Sequence, residues 1–140
     1  MKFSVQEEYG LRCLLRIARF YEMGKSLTIP EISRGEGITP HTTAKILRAL
    51  RLGGFIESAR GHLGGYILAR PPREIFIGDV ITKLGGKLYD DSFCASHTKG
   101  DIFCTVNSEC TIRTLWITIQ NAVDNAIRDL RLSDLLKKKA

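Results

Sequence analysis

Apolar residues recur at helical spacing at both ends of this chain, and the pattern gives way to β-prone runs only between residues 55 and 70. In residues 4–23, Val5, Tyr9, Leu14, Leu15, Ala18 and Tyr21 form one broad stripe, which predicts a helix with one face turned to a core. Ser4 is placed to cap it, and Glu7, three positions on, completes a capping box. After a turn at Gly24 and Lys25, Thr28 caps a short helix over residues 29–34, with Pro30 in its first turn and Glu31 at N3, and Gly35-Glu36-Gly37 ends it. A third helix follows Thr39, has Pro40 in its first turn and stops at Gly53-Gly54. Ile46, Leu47, Ala49, Leu50 and Leu52 are its expected buried stripe, leaving Thr39, His41, Thr42, Lys45, Arg48 and Arg51 to point outward.

Two short helices joined by a Gly-containing turn read as a helix-turn-helix. The β-prone runs 55–60 and 66–70 around Gly61-His62-Leu63-Gly64-Gly65 read as a hairpin, and Pro71-Pro72 ends it. A hairpin directly after a helix-turn-helix is the wing of a winged helix. Residues 75–86 predict a short helix closed by glycines. From Thr111 on, Ile112, Leu115, Trp116, Ile119, Val123, Ala126, Ile127 and Leu130 fall at spacings of three and four, a stripe longer than one small domain needs and suited to a dimer seam. Ser133 is the expected cap of a last turn over residues 134–138. The expected fold is mainly α with a small β-hairpin: a winged helix-turn-helix over 1–73, a short helix and cysteine-bearing loop over 74–110, and a dimerisation helix with a basic tail over 111–140.

Charge sharpens this picture. The chain has a net charge of +6, and residues 1–73 carry twelve Lys/Arg against six Asp/Glu while the remainder is balanced. Such a half suits a phosphate-binding surface, although a merely soluble basic face has the same composition. A helix that enters a major groove needs short polar side chains in its first turn, flanked by cations. Thr39, His41, Thr42 and Lys45 meet that need, with Arg48 or Arg51 reaching phosphate. Thr28 offers a hydroxyl and free backbone N–H groups to a phosphate. Arg60 at the wing base is the candidate for the minor groove, and Gly61, Gly64 and Gly65 allow close backbone approach.

The cysteines add different chemistry. Cys94, Cys104 and Cys110 lie in one polar stretch with C-x9-C-x5-C spacing, so three thiolates can converge on a soft metal or an iron–sulfur cluster. A structural zinc site of these three with His97, three residues after Cys94, uses the same donors. Cys13 reads as a small buried hydrophobe on the first helix. The N-terminus has no h-region and no apolar run is long enough to span a bilayer, so a cytoplasmic protein with no membrane role is expected. No G-x-S-x-G, P-loop or HExxH constellation points to an enzyme.

The string G37-I38-T39, K45-I46-L47, L50, G54-F55-I56, R60-G61 and G64-G65-Y66-I67-L68-A69-R70, with E8-Y9-G10-L11-R12 before it, resembles the IscR/NsrR family of winged-helix transcription regulators over residues 1 to about 135. The resemblance implies a homodimer on a pseudo-palindromic double-stranded DNA operator, acting as a repressor. It also implies a [2Fe-2S] or [4Fe-4S] cluster on Cys94, Cys104 and Cys110 that senses redox state, nitric oxide or iron. Nine residues separate the first two cysteines where five are common, which leaves the cluster type open, and Arg113 stands where some members have a ligating His. Other members take a carboxylate from the first helix of the opposite subunit, and Glu8 occupies that place, with His97 as its rival. A cofactor-free or zinc-stapled regulator answering to a protein partner or metabolite is the alternative. The HTTAK of the third helix departs from the family's usual residues, so no operator sequence is implied.

Overall fold

The computed structural model describes residues 3–61, 64–87 and 111–137. Helix α1 (Val5–Glu22) starts with the expected capping box: the Glu7 N–H donates to Ser4 Oγ at 3.2 Å, and the Ser4 N–H donates to Glu7 Oε1 at 3.3 Å. Its core face is centred on Cys13, Leu14, Ile17 and Ala18, and Val5, expected in the stripe, is exposed. Val5 is the first residue of the helix, and its side chain falls outside the core. Gly10 is buried because Leu84 lies where a side chain would go.

Helices α2 (Ile29–Glu36) and α3 (Pro40–Leu52) form the helix-turn-helix. Gly37, at φ 67°, adopts the left-handed conformation that turns the chain between them. Thr43, Ile46, Leu47 and Leu50 bury the inner face of α3, whereas Leu52, expected inside, is exposed at the end of the helix. Strands β1 (Ile56–Ser58) and β2 (Tyr66–Leu68) pair antiparallel, Ile56 opposite Leu68 and Ser58 opposite Tyr66. Leu27 joins them through a bridge to Tyr66, so the connection between α1 and α2 forms a third ribbon of the wing.

A 3-10 turn (Pro72–Glu74) leads to α4 (Ile77–Gly85), and α5 (Thr111–Ile127) and α6 (Leu132–Leu136) complete the described chain. The last helix differs from expectation at its start. Asp134 accepts the Arg131 N–H at 2.9 Å, so Arg131 and not Ser133 is the N-cap. The Phe76 to Arg131 bridge, with the Leu132 N–H donating to Ile75 O at 2.8 Å, pins this end of the chain and seats Leu132 in the core. One continuous core therefore runs from Leu14, Ile32, Leu47 and Leu68 to Ile75, Val80, Leu84 and Leu132.

The wing tolerates little at Gly65. Its φ is 94°, and an added Cβ would meet the Leu27 carbonyl oxygen at 2.6 Å. Gly65→Ala is expected to cost about 1–3 kcal/mol, read as a lowered melting temperature, through backbone strain at a position that has no room to relax.

Candidate nucleic-acid interface

The candidate reading surface is built from α3 and the wing. Thr39 caps α3: its Oγ1 accepts the Thr42 N–H at 3.3 Å and donates to Thr42 Oγ1 at 2.9 Å. Both hydroxyls are thus held in a fixed pair at the helix N-terminus, where the helix dipole adds positive potential. His41, Lys45 and Arg48 follow on the exposed face, and α3 holds no acidic residue along its length. Lys45, Arg48, Arg51 and Arg60 are exposed and make no ion pair among the described residues. Lys45→Ala is expected to lower the slope of log affinity against log salt by about 1 if that ammonium sits on a phosphate, measured by DNA titration at several salt concentrations.

Thr28 is less free than its sequence position suggests. Its hydroxyl donates to Glu31 Oε1 at 2.8 Å and accepts the Glu31 N–H at 3.4 Å, so a phosphate at this helix start would meet backbone N–H groups alone, beside a carboxylate. Arg60 is exposed where the wing leaves β1. The Ala59 N–H donates to Gly65 O at 2.8 Å and the Gly64 N–H to Gly61 O at 3.3 Å, which close the loop that carries the exposed Gly61 at φ 121°. His62 and Leu63 lie outside the described residues.

Ser26 was not legible as part of this surface. Its hydroxyl donates to Gly64 O at 2.9 Å and ties the wing loop to the α1–α2 connection. The two residues are 38 positions apart, and no local pattern signals such a contact.

The ligand candidates divide. Cys94, Cys104, Cys110 and the rival His97 lie outside the described residues, and among the described residues no three His, Cys, Asp or Glu side chains converge on a metal position. Glu8 is exposed in the first turn of α1. Its neighbour Glu7 is committed to the cap and lies over Gly85, so this turn of α1 sits beside the end of α4, from which the chain enters the cysteine-bearing stretch.

Cys13 is fully buried in the core. Burial pushes its thiol up from an ordinary 9.0 to about 11, with Glu36 adding to the shift and Arg12 and Arg16 opposing it. The neutral thiol is a poor nucleophile, so Cys13 should resist iodoacetamide at neutral pH until the chain unfolds, which mass spectrometry checks. Above pH 9.0 the unfolded chain releases this proton while the folded one keeps it until about 11, so stability should fall across that window as pH rises.

Helix α5 contributes a second surface. Its C-terminal part meets α4, with Ile127 against Gly78, while Ile112, Leu115, Trp116 and Ile117 remain exposed. Exposed large apolar side chains at this density along one helix mark an interaction face.

A helix-turn-helix with a wing and a cationic face on α3 defines the class, a DNA-binding transcription regulator. Residues 3–138 match the Rrf2 family, described as an iron-dependent transcriptional regulator, and the chain belongs to that family. Protein aau3 of Rhizobium meliloti (strain 1021) is 31% identical over 141 residues, covering 99% of this chain and 87% of that protein. The HTH-type transcriptional regulator IscR of Serratia proteamaculans (strain 568) is 26% identical over 139 residues, covering 99% of this chain and 81% of IscR. The structure of CymR (YrzC), described as the global cysteine regulator of B. subtilis, superposes with a TM-score of 0.75 at 26% identity, covering 97% of this chain and 96% of that one. No helix among the described residues is long and apolar enough to cross a membrane.

Proposed function

We propose that this regulator is a homodimer, a repressor, whose affinity for a pseudo-palindromic operator is switched by an iron–sulfur cluster. Cys94, Cys104 and Cys110 of one subunit and the partner subunit's Glu8 would hold it. The donor set fits: three soft thiolates suit iron–sulfur chemistry, and an oxygen ligand is more easily exchanged than a fourth thiolate. When bound, such a cluster supplies iron that reacts with oxygen or nitric oxide. The observation that carries the reading is Glu8 itself, a carboxylate exposed in the first turn of α1 and so open to a second subunit, while its neighbour Glu7 is committed to the helix cap. The family's description as iron-dependent and the likeness to IscR support it.

In this reading α1 links sensing to DNA. It bears Glu8 at one end and packs through Leu14 and Ile17 on the core it shares with α3. The reading heads are Thr39, His41, Thr42, Lys45 and Arg48 in the major groove and Arg60 with Gly61 in the minor groove, with Thr28 against the backbone. A dimer places two such sets one helical turn or a multiple apart, so a small change in subunit orientation weakens both half-sites together.

The fourth ligand is decided by two variants purified without oxygen. Glu8→Ala should change the visible absorption spectrum and His97→Ala should leave it as it is. The reverse pattern assigns the place to His97, and two unchanged spectra remove both. A second reading, a cofactor-free or zinc-stapled regulator answering to a metabolite or protein, draws on the likeness to CymR. It predicts colourless protein in the same preparation.

A further inference from the structure

Glu36 is the last residue of α2 and stands three positions before the cap of the reading helix. Its side chain is only 11% exposed and receives two guanidinium groups from α1. Arg12 Nε donates to Oε1 at 3.2 Å, and Arg16 Nε donates to Oε2 at 2.5 Å. The same two side chains also hold the turn's backbone: Arg12 Nη2 donates to Glu36 O at 2.6 Å, and Arg16 Nη2 to Gly35 O at 2.9 Å. Ser33, buried in α2, donates its hydroxyl to Ile38 O. Three carbonyls of the helix-turn-helix turn are therefore held by side chains, two of them from α1. Arg12 in turn lies over the Tyr9 ring, 5.6 Å from its centroid, one residue from Glu8.

We propose that Arg12 and Arg16 are positioning residues for DNA recognition, clamping the turn so that α1 and the reading helix α3 move as one body. The turn is only partly buried, with Gly35 and Gly37 exposed, so water can serve its carbonyls; what the arginine forks add is direction as well as attraction. A lone Coulombic attraction would need neither the backbone bonds nor two cations on one carboxylate. Fastened in this way, α3 cannot swing against α1. This deepens the reading above and rests on its DNA-binding part alone: α1 and the reading helix meet the operator as one body, without rearrangement between them.

Charge makes the test decisive. Glu36→Gln removes a negative charge from the basic half of the chain, so electrostatics alone predicts that DNA binding stays level or strengthens. A positioning role predicts the opposite for specific DNA only. The experiment uses full-length protein purified without oxygen, a duplex selected by the wild-type chain from a random pool, and a random-sequence duplex as the non-specific probe. Affinity of Glu36→Gln for the selected duplex should fall at least tenfold while affinity for the random duplex holds or rises. Unchanged specific binding, or specific and non-specific binding that shift together, overturns the clamp. If Glu36→Gln does not fold, the charge-conserving double variant Arg12→Lys/Arg16→Lys takes its place with the same expectation and the same overturning results. Iron measured on the same samples bears on the cluster and leaves the clamp untouched, and a wild-type chain that selects no duplex instead contradicts the DNA reading.

Discussion

Ile112→Glu combined with Leu115→Glu should convert the protein to a monomer and weaken operator binding by at least about a hundredfold. Both side chains are more than half exposed in the single chain, at 61% and 51%, on the part of α5 that leaves the body of the protein. In the proposed dimer, two carboxylates buried against their own copies across a two-fold axis carry a desolvation cost and a like-charge repulsion. Loss of the dimer turns a two-site attachment into two independent ones, and the avidity given up in such a change is about 10²–10⁴. The winged-helix core does not include either residue, so the monomer should keep its helical signal. Sedimentation at fixed concentration and titration of the selected duplex check both halves. A variant that stays dimeric places the seam elsewhere.

Cys104→Ser should remove the iron. A serine oxygen is a hard donor with a high pKa and does not replace a thiolate toward a soft cluster. Iron and sulfide in oxygen-protected protein should fall to background, and the response of operator binding to nitric oxide should vanish with them. The core among the described residues runs from Leu14 to Leu84 with Leu132, so the variant should still melt cooperatively. Cys13→Ser is the control. That residue is fully buried in the core, so its loss should affect stability and leave iron in place.

The parts of this fold that were legible are those fixed by local chemistry. Ser4 with Glu7, Thr28 with Glu31, and Thr39 with Pro40 mark helix starts because capping uses atoms three residues apart, and Gly37 marks a stop because its φ of 67° suits glycine. What was not legible is long-range. Arg12 and Arg16 meet Glu36 from 24 and 20 positions away, and Ser26 meets Gly64 from 38. The N-cap of α6 was misplaced at Ser133 for the same reason: strand-like pairing of Phe76 with Arg131 sets where that helix begins, and a local reading of residues 131–138 does not contain it. Val5 and Leu52 carry the right periodicity but lie at helix ends, beyond the reach of the core.

For the site, residue type carried more than geometry. The cationic outer face of α3 follows from its sequence once Ile46, Leu47 and Leu50 are turned inward. The Thr28 cap follows from the sequence, but the donation of its hydroxyl to the Glu31 carboxylate does not, since a capping Thr is equally able to turn that proton outward. Three cysteines close in sequence suggest soft-metal donor chemistry, and the structure adds only that Glu8, the proposed fourth ligand, is exposed in the first turn of α1.

The most direct measurement is operator affinity of oxygen-protected, full-length protein, taken before and after nitric oxide, with iron and sulfide determined on the same sample. Iron and sulfide should both be present, and affinity should shift by about tenfold or more, equivalent to about 1.4 kcal/mol of coupling between the two sites. Protein free of iron and sulfide that binds its selected duplex equally well with and without nitric oxide would contradict a cluster-operated switch.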